Sequence, residues 1–254
     1  MMALSDTIQI FDSQSASYKH AFQVFLDHTD QKRNAKRWLH QIVQSLPSRT
    51  VFIDAGAGNG EITGALTGAF DRTIAIEPNG YLLQQLQQAV PGAERIGDPI
   101  LKAQPPAQGD LVLCSHVLYY IPPEEWLAHL ERLVSWMSPS GVTIIILQNR
   151  DTGCMNMLHH FFEHRFELCH VADMLRQKHG GRYEVRTTLD PAHVETSDFA
   201  SAYAVVEFML NLLPIDQPPK RQDVETYIAT HFATADGGYR IPVHQDFVEI
   251  RPRP

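Results

Sequence analysis

A run of alternating glycines, Asp54-Ala55-Gly56-Ala57-Gly58-Asn59-Gly60, constrains this chain more than any other segment. It follows an apolar, β-branched run at Val51–Ala55 and opens a helical pattern at Gly60–Ala69. A strand, a glycine-rich turn and a helix together aim backbone N–H groups and the helix N-terminus at a ligand, and glycine lets that ligand approach closely. The segment therefore predicts a ligand site at the end of a buried strand.

The pattern around this run alternates short β-branched segments with longer amphipathic ones, which is typical of parallel strands joined by crossover helices. The expected strands are Val51–Ala55, Thr73–Glu77, Ala93–Gly97, Asp110–Cys114 and Val142–Leu147. The expected helices are Gly60–Ala69, Tyr81–Ala89 and Pro123–Met137, the last followed by a loop at Ser138–Gly141. We expect an α/β fold with a Rossmann-like, doubly wound and mostly parallel sheet of seven strands.

The flanking segments are expected to add two further parts to a core at residues 50–150. Residues 1–49 read as a helical N-terminal lid, and residues 151–254 as substrate-side helices that also complete the sheet. The elements expected in the second part are a helical insertion after the fifth strand, a strand at Arg182–Thr187, a helix at Phe199–Leu213 ended by Pro214, a helix at Arg221–His231 and a last strand at Asp246–Arg251.

Composition limits the partners of this chain. A formal net charge of −8 disfavours nucleic acid, because nucleic-acid binding depends on clustered Lys and Arg. The longest aliphatic run, Val142–Leu147, is far shorter than the ~20 residues of a membrane span, and no signal-peptide pattern opens the chain. Cys114, Cys154 and Cys169 fit no disulfide or zinc spacing and are interpreted as reduced thiols. We expect a cytoplasmic protein with a small-molecule partner; nothing here signals an oligomeric state.

The residue after the glycine run separates two cofactor classes. Dinucleotide sites use G-x-G-x-x-G, but Glu61 stands where the third glycine belongs. The run Asp-x-Gly-x-Gly-x-Gly instead resembles the first motif of class I methyltransferases, which implies S-adenosylmethionine as cofactor and S-adenosylhomocysteine as product. Glu77, 17 residues past Gly60, is placed to accept hydrogen bonds from the ribose hydroxyls. The candidate cofactor residues are Asp54, Gly56, Gly58, Gly60, Glu77, Pro78, Asp98 (near the adenine amino group) and Ser115.

A closer resemblance extends over most of the chain. The segment Tyr18 to Thr29, the pair Glu77-Pro78, the triplet Leu118-Tyr119-Tyr120 and the strand Phe247–Ile250 resemble histamine N-methyltransferase and its relatives, in the same order. The resemblance implies methyl transfer to a small aromatic or heterocyclic N-nucleophile, with the N-terminal helix covering the substrate. The substrate-binding candidates on this basis are Tyr18, Phe22, Gln31, Tyr119, Tyr120 and His244, whose aromatic members suit a flat acceptor.

The sequence departs from that family where the family holds its substrate. Gln31 stands at an acidic position, His116 at a glutamine position, and Val243 and His244 near an asparagine. Two tryptophans expected after the fifth strand fall on Cys154 and Leu158. These departures argue against histamine itself, because a lost carboxylate would leave the ammonium of a cationic amine without its partner.

His116 is the candidate catalytic base, because imidazole titrates near neutrality and this residue follows the fourth strand at the expected mouth of the site. The alternative, given equal weight, is that His116 only hydrogen-bonds the substrate or cofactor. An acceptor on oxygen or carbon, or an inactive cofactor-binding scaffold, also stays open. His160-Phe161-Phe162-Glu163-His164 matches the H-x-x-E-H spacing of zinc proteases, but with 13 histidines in the chain we expect a helix face and no metal.

Overall fold

The computed structural model describes residues 6–12, 15–213 and 215–253. These residues form two compact units. The sheet unit consists of Lys32–Leu147, Glu167–Asp190 and Gln245–Pro254, and the helical unit of Met1–Gln31, Gln148–Phe166 and Pro191–His244. Both units are therefore assembled from three separate stretches of chain.

The helices and strands alternate along most of the chain. In chain order they are α1 (Ala16–His28), α2 (Gln31–Ser45), β1 (Val51–Ala55), α3 (Glu61–Leu66), β2 (Arg72–Ile76), α4 (Gly80–Ala89), β3 (Glu94–Ile96), β4 (Gly109–Ser115), α5 (Trp126–Ser135), β5 (Met137–Gln148), α6 (Gly153–Phe162), α7 (Leu168–His179), β6 (Tyr183–Asp190), β7 (His193–Thr196), α8 (Phe199–Leu210), α9 (Arg221–His231), β8 (Tyr239–Pro242) and β9 (Gln245–Pro252). Short 3₁₀ turns at Thr67–Ala69, Leu118–Tyr120, Pro123–Glu125 and Gly180–Arg182 connect some of them.

One seven-stranded sheet organises the sheet unit, in the spatial order β3-β2-β1-β4-β5-β9-β6. The neighbours among the first five strands are parallel, and β9 runs antiparallel to β6. Every residue of β1 is buried, as are the last four of β2, because crossover helices cover both faces of a parallel sheet. The Rossmann-like, mostly parallel fold expected from the sequence is confirmed.

Helix α2 packs on this sheet through its apolar stripe. Ala35, Leu39 and Val43 are buried in one cluster with Phe52 of β1 and Phe247 of β9. Successive positions are four residues apart, which places them on one helix face. Burying one such side chain contributes about 1.5–3 kcal/mol, so this stripe holds α2 against the strands.

The third expected helix and its loop differ from the structure. Helix α5 ends at Ser135, and Met137 opens β5, so the segment Ser138–Gly141 belongs to the strand. Met137 pairs with Gly109 of β4, and the register shifts between Gly109 and Leu111. A Cβ at Gly141 would lie 2.7 Å from the Gly109 carbonyl oxygen, so the strands approach closely there. Pairing with β4 outweighs the turn preference of a Ser-Pro-Ser-Gly sequence.

Aromatic packing between α1 and α8 forms the centre of the helical unit. The Phe208 ring lies 5.7, 5.4 and 5.4 Å from the rings of Tyr18, Phe22 and Phe25. The Ser15 side chain accepts a hydrogen bond from the Tyr18 amide at the start of α1. That bond satisfies one of the free N–H groups of the first turn.

The sequence predicts whether the flanking elements are helices or strands better than it predicts which compact unit they belong to. Helices lie at Ala16–His28 and Gln31–Ser45, but the first belongs to the helical unit and most of the second to the sheet unit. The role of residues 1–49 as a lid stays a prediction. Helix α8 ends at Leu210, and Pro214 lies outside the described residues. The small antiparallel sheet of β7 and β8 was not expected.

None of the helices in the described part of the chain is long and apolar enough to cross a membrane.

Candidate functional site at the carboxyl edge of the sheet

The carboxyl ends of β1 to β4 meet at one edge of the sheet, because these strands are parallel neighbours. Strands β2 and β3 lie on one side of β1, and β4 and β5 lie on the other side. The order in which strands are added to the sheet therefore switches direction between β1 and β4. Ligands of doubly wound sheets bind at such a switch point, beyond the strand ends. The glycine run after β1 and His116 after β4 lie on its two sides.

The glycine run forms a loop in which each glycine has a positive φ. The values are 80° at Gly56, 57° at Gly58 and 87° at Gly60. A Cβ at Gly56 would lie 2.2 Å from Val117 Cγ2, and one at Gly60 would lie 2.7 Å from Leu86 Cδ1. Both positions therefore require glycine for space as well as for backbone conformation.

The N–H groups of this loop are mostly used inside the protein. Gly56 and Ala57 donate to the Ile76 carbonyl oxygen at 2.8 and 3.1 Å, Gly60 donates to Ala57, and Gly58 donates to a carboxylate oxygen of Glu77 at 2.9 Å. A phosphate-binding loop needs such groups directed at its ligand. The geometry thus favours a ligand without a pyrophosphate, in agreement with the position of Glu61.

Glu77 lies at the end of β2 with its side chain fixed from both sides. Oε2 accepts the Gly58 N–H, and Oε1 accepts the Asn79 N–H at 2.8 Å. Each carboxylate oxygen has two acceptor sites, so each can accept one more hydrogen bond. Both oxygens of the carboxylate thus keep acceptor capacity for neighbouring hydroxyls.

Asp54 is a buried carboxyl group beneath the loop. Its Oδ2 accepts a hydrogen bond from Thr63 Oγ1 of α3 at 2.7 Å. Burial raises the pKa of Asp54 to about 7; the Thr63 hydrogen bond acts against this rise, and the charge of Glu77 adds to it. Asp54 therefore ties β1 to α3 and stands close to half-protonated at neutral pH.

The remaining predicted cofactor residues lie along the same edge. Pro78 is exposed after Glu77, Asp98 is exposed two residues past the end of β3, and Ser115 ends β4 with partial exposure. The structure thus gathers all eight candidates at the ends of four neighbouring strands.

The backbone turns sharply at His116, which has a φ of 57°. Its N–H donates to the Ile146 carbonyl oxygen at 2.9 Å, so the turn begins directly at the end of the β4–β5 pairing. Residues other than glycine rarely adopt this left-handed conformation, and such strain is concentrated at functional sites. The turn also brings Val117 against Gly56.

The imidazole of His116 is hydrogen-bonded through both ring nitrogens. Nδ1 lies 3.2 Å from the Tyr119 hydroxyl, and Nε2 lies 2.9 Å from Oε1 of Gln245. The residue is partly exposed, but its ring lies deep among protein atoms, and this burial lowers the pKa of His116 to about 4. The Gln245 hydrogen bond acts in the opposite direction, and the charge of Lys32 lowers the pKa further. His116 is neutral at physiological pH.

Gln245 is a site residue that the sequence analysis missed. It is fully buried and opens β9, far from His116 in sequence. No local spacing connects the two positions; only the return of the chain in the last strand does. The strand predicted at Asp246–Arg251 begins one residue after Gln245.

Glu61 holds two ammonium groups at the start of α3, which the sequence analysis also missed. Lys32 and Lys36 of α2 both hydrogen-bond its carboxylate, Lys36 at 2.9 Å. Burial opposes the charge of Glu61, but the two lysines outweigh that effect and lower its pKa. The residue that breaks the dinucleotide motif thus fastens α2 beside the glycine loop.

The predicted acceptor-binding residues of the sheet unit differ in burial. Tyr119 is buried, and its ring stacks on His116 with centroids 5.9 Å apart. Tyr120 is 68% exposed. The structure therefore joins Tyr119 to the His116 network, whereas most of the Tyr120 side chain is exposed.

The helical unit contains the other predicted acceptor-binding residues in two pairs. The rings of Tyr18 and Phe22 stack at 6.2 Å within α1. The buried Gln31 donates from Nε2 to the Val243 carbonyl oxygen at 2.7 Å, directly beside His244. The His244 N–H donates to Thr152 Oγ1 at 3.1 Å, and its Nδ1 lies 3.0 Å from the Ala192 carbonyl oxygen. The acceptor-binding roles of these residues stay predictions.

The H-x-x-E-H sequence spans the end of α6, which closes at Phe162. Glu163 has a φ of 54°, so His164 lies beyond the helix and not one helical turn from His160. His160 packs against Tyr227 at 4.9 Å, and His164 against Phe166 at 4.8 Å. Among the described residues, no group of three His, Cys, Asp or Glu side chains is placed to hold a metal.

The sequence matches a family model described as a methyltransferase domain, over residues 26–196. The match spans the glycine loop, Glu77, Asp98 and His116, and it covers well over half of the chain. This chain belongs to the methyltransferase domain family. No curated protein matches the sequence.

Solved methyltransferase structures share the fold of this methyltransferase. The N-methyltransferase NodS from Bradyrhizobium japonicum WM9, in complex with S-adenosylhomocysteine, is 13% identical with a TM-score of 0.57, covering 94% of this chain and 100% of that one. Magnesium protoporphyrin IX methyltransferase from Synechocystis PCC 6803, with S-adenosylmethionine bound, is 14% identical with a TM-score of 0.51, covering 96% and 87%. An S-adenosylmethionine-dependent methyltransferase from Leishmania major is 14% identical with a TM-score of 0.56, covering 96% and 86%.

The cofactor of this methyltransferase is S-adenosylmethionine. The residues present fit that group. Nothing lies within 4 Å of the position a Cβ would take on Gly58, so open space adjoins the loop at this glycine. Glu77 has acceptor capacity left for ribose hydroxyls, and the internally bonded loop suits a cofactor without a pyrophosphate.

Proposed function

We propose that this methyltransferase transfers a methyl group to a nitrogen of a small aromatic or heterocyclic acceptor, and that this nitrogen carries a free lone pair at neutral pH. The hydrogen bonding of His116 carries the proposal. Both ring nitrogens have partners, and burial holds the pKa of the imidazole at about 4. A general base works best with a pKa near the working pH, so His116 is poorly suited to remove a proton.

A lone-pair nitrogen removes the need for such a base. Bound S-adenosylmethionine supplies an electrophilic methyl group, and an sp² nitrogen can attack it without first losing a proton. The protein then has to align the acceptor and exclude water. His116 acts in this scheme as a neutral hydrogen-bonding residue, one of the two roles that the sequence analysis left open.

The acceptor-binding residues are proposed from the resemblance to histamine N-methyltransferase. Tyr119, which stacks on His116, would contact the acceptor. The description of NodS as an N-methyltransferase is consistent with nitrogen as the target atom. Gln31 in place of a carboxylate favours a neutral acceptor over a cationic amine.

A small acceptor and a cytoplasmic location are part of the proposal. The net charge of −8 disfavours polyanionic acceptors such as nucleic acid. Cys114, Cys154 and Cys169 are free thiols, which is typical of proteins in a reducing compartment.

A transfer assay with methyl-labelled S-adenosylmethionine tests this function. The acceptor panel contains matched imidazoles, pyridines, aliphatic amines and phenols. We expect label in the heteroaromatic nitrogen compounds and at least 10-fold less in phenols and protonated amines. Labelled phenols alone would overturn the proposed acceptor class, and no transfer to any compound would indicate a binding scaffold.

A His116→Asn variant separates hydrogen bonding from base catalysis. Asparagine tolerates the left-handed backbone at this position, whereas alanine would add strain. Removing a general base costs about 10²–10⁴-fold in rate; we expect a loss under 10-fold in kcat with a non-titrating heteroaromatic acceptor. The His116 imidazole should also contribute no pH dependence to the wild-type rate between pH 6 and 9, because a group with a pKa of about 4 does not titrate there. A fall in the wild-type rate below pH 6–7 that is absent in His116→Asn would instead show that His116 acts as a general base.

A further inference from the structure

The N–H groups of the glycine loop are largely bonded within the protein, which limits what the loop can offer to an anion. The residues whose N–H groups donate in this way are Gly56, Ala57, Gly58 and Gly60. S-adenosylmethionine carries a carboxylate and an ammonium on its methionine end, and taking an unpaired carboxylate out of water is costly. Cationic side chains beside the loop are therefore the expected partners of that carboxylate.

Two lysines of α2 lie beside the loop. Lys32 and Lys36 are one helical turn apart, so their side chains leave the same face of the helix. Both hydrogen-bond the Glu61 carboxylate, Lys32 through Oε2 and Lys36 through Oε1 at 2.9 Å. Glu61 directly follows Gly60, the last glycine of the loop. The ion pairs thus place two ammonium groups next to the start of α3.

Both ammonium groups are within reach of a ligand. The side chains of Lys32 and Lys36 are 30% and 31% exposed. A lysine ammonium has three N–H donors, and the bond to Glu61 uses one of those of Lys36. The charge of Lys32 also lowers the pKa of His116, so this ammonium acts on both sides of the switch point.

We infer that Lys32 and Lys36 bind the α-carboxylate on the methionine end of S-adenosylmethionine and S-adenosylhomocysteine. Glu61 holds the two ammonium groups side by side, so that one ligand carboxylate meets both through charge-assisted hydrogen bonds. This assignment concerns the cofactor alone and does not depend on which acceptor is methylated. It also gives Glu61 a role that the third glycine of a dinucleotide site has no side chain to fill.

Calorimetric titration with two matched ligands tests the assignment without any methyl transfer. S-adenosylhomocysteine carries the carboxylate, whereas its decarboxylated analogue keeps the adenosine, the sulfur and the amine. We expect wild type to bind S-adenosylhomocysteine about 10- to 100-fold more tightly, as one or two hydrogen bonds to a charged group would give. Equal affinity of wild type for the two ligands would overturn the inference.

A double variant, Lys32→Met/Lys36→Met, removes both charges and keeps unbranched side chains that favour a helix. Its affinities for the two ligands should differ by less than about 3-fold, because S-adenosylhomocysteine loses its charged partners. Its affinity for the decarboxylated analogue should stay within about 3-fold of wild type, since loss of partly exposed charges has a small effect on a ligand that they do not bind. That retained affinity also reports that the glycine loop is intact.

Lys178→Met is the matched control, because it also removes a lysine that pairs with a glutamate. Lys178 lies 2.7 Å from Glu131, and this pair joins α7 to α5 within the same unit. The control should keep the wild-type preference for S-adenosylhomocysteine. Equal loss of both ligands in the double variant would mean that the lysines only support the loop, and would refute their role as carboxylate ligands. No methyl acceptor is present in these titrations, so their outcome is separate from that of the transfer assay.

Discussion

At the scale of single residues, Asp54 is a carboxyl group whose charge depends strongly on the fold. Its pKa lies near 7 in the native protein, well above the ordinary 3.8 of an aspartate side chain, because burial penalises the ionised form. Between these values the folded state binds more protons than the unfolded state. The contribution of Asp54 to the free energy of unfolding therefore falls as the pH rises from about 4 to 7, and it is constant above that range.

Asp54→Asn should remove this pH dependence. The amide oxygen of asparagine can still accept the Thr63 hydroxyl, so the link between β1 and α3 is kept. We expect the variant to gain up to about 4 kcal/mol relative to wild type between pH 4 and pH 7.5. Urea denaturation at several pH values measures the difference between the two proteins. A constant difference across this range would show that Asp54 is ionised throughout.

Residues of the cofactor edge could be predicted where a local motif specifies them. Gly56, Glu77 and Asp98 each follow a strand at a fixed interval, so their common edge follows from the parallel sheet alone. Gln245 and Lys32 could not be found in this way. Gln245 reaches His116 through the return of β9, and Lys32 reaches Glu61 through the packing of α2, and both depend on tertiary structure.

At the scale of elements, the contact between α1 and α8 is centred on the ring of Phe208. Phe208 packs against Tyr18, Phe22 and Phe25, which lie three to four residues apart on α1. Periodicity predicts which face of a helix is buried. It does not identify the helix that buries it, and so α8 could not be assigned as the partner.

Phe208→Ala should destabilise the helical unit by about 3–5 kcal/mol, because the lost ring leaves a cavity among three aromatic side chains. Hydrogen exchange read by mass spectrometry should show faster exchange in α1 and α8, with β1 and β4 unchanged. Leu189→Ala is the control, since Leu189 is half exposed and its loss should change exchange very little. Equal acceleration in β1 and β4 would mean that Phe208 stabilises the whole chain as one cooperative unit.

Element boundaries show where local and tertiary preferences compete. The limits of α9 match the expectation, because no strong turn sequence interrupts its pattern. In β5 the segment Ser138–Gly141 has turn-forming residues, yet pairing at Met137 with Gly109 draws it into the strand. A local sequence pattern carries no information about pairing with a strand that is distant in sequence.

At the scale of the whole molecule, the division into two units concentrates the predicted cofactor residues in one of them. Every one of the eight lies in the sheet unit, although the chain leaves that unit twice. Ligand binding to the native state stabilises it by about 2.7 kcal/mol when the ligand is at 100 times its Kd. Saturation with S-adenosylhomocysteine should therefore raise the melting temperature and slow hydrogen exchange in residues 51–60 and 72–83.

Gly58→Ala should abolish most of that response without unfolding the protein. A Cβ there meets no atom within 4 Å, so the main cost to folding is the left-handed backbone, about 1–2 kcal/mol. The added methyl group enters the open space assigned to the cofactor, and we expect at least a 10-fold loss of affinity by calorimetric titration. Gly68→Ala also adds a Cβ in open space, but outside the loop, and should bind like wild type. Unchanged affinity in Gly58→Ala would move the cofactor away from this loop, and with it the role assigned to Glu77.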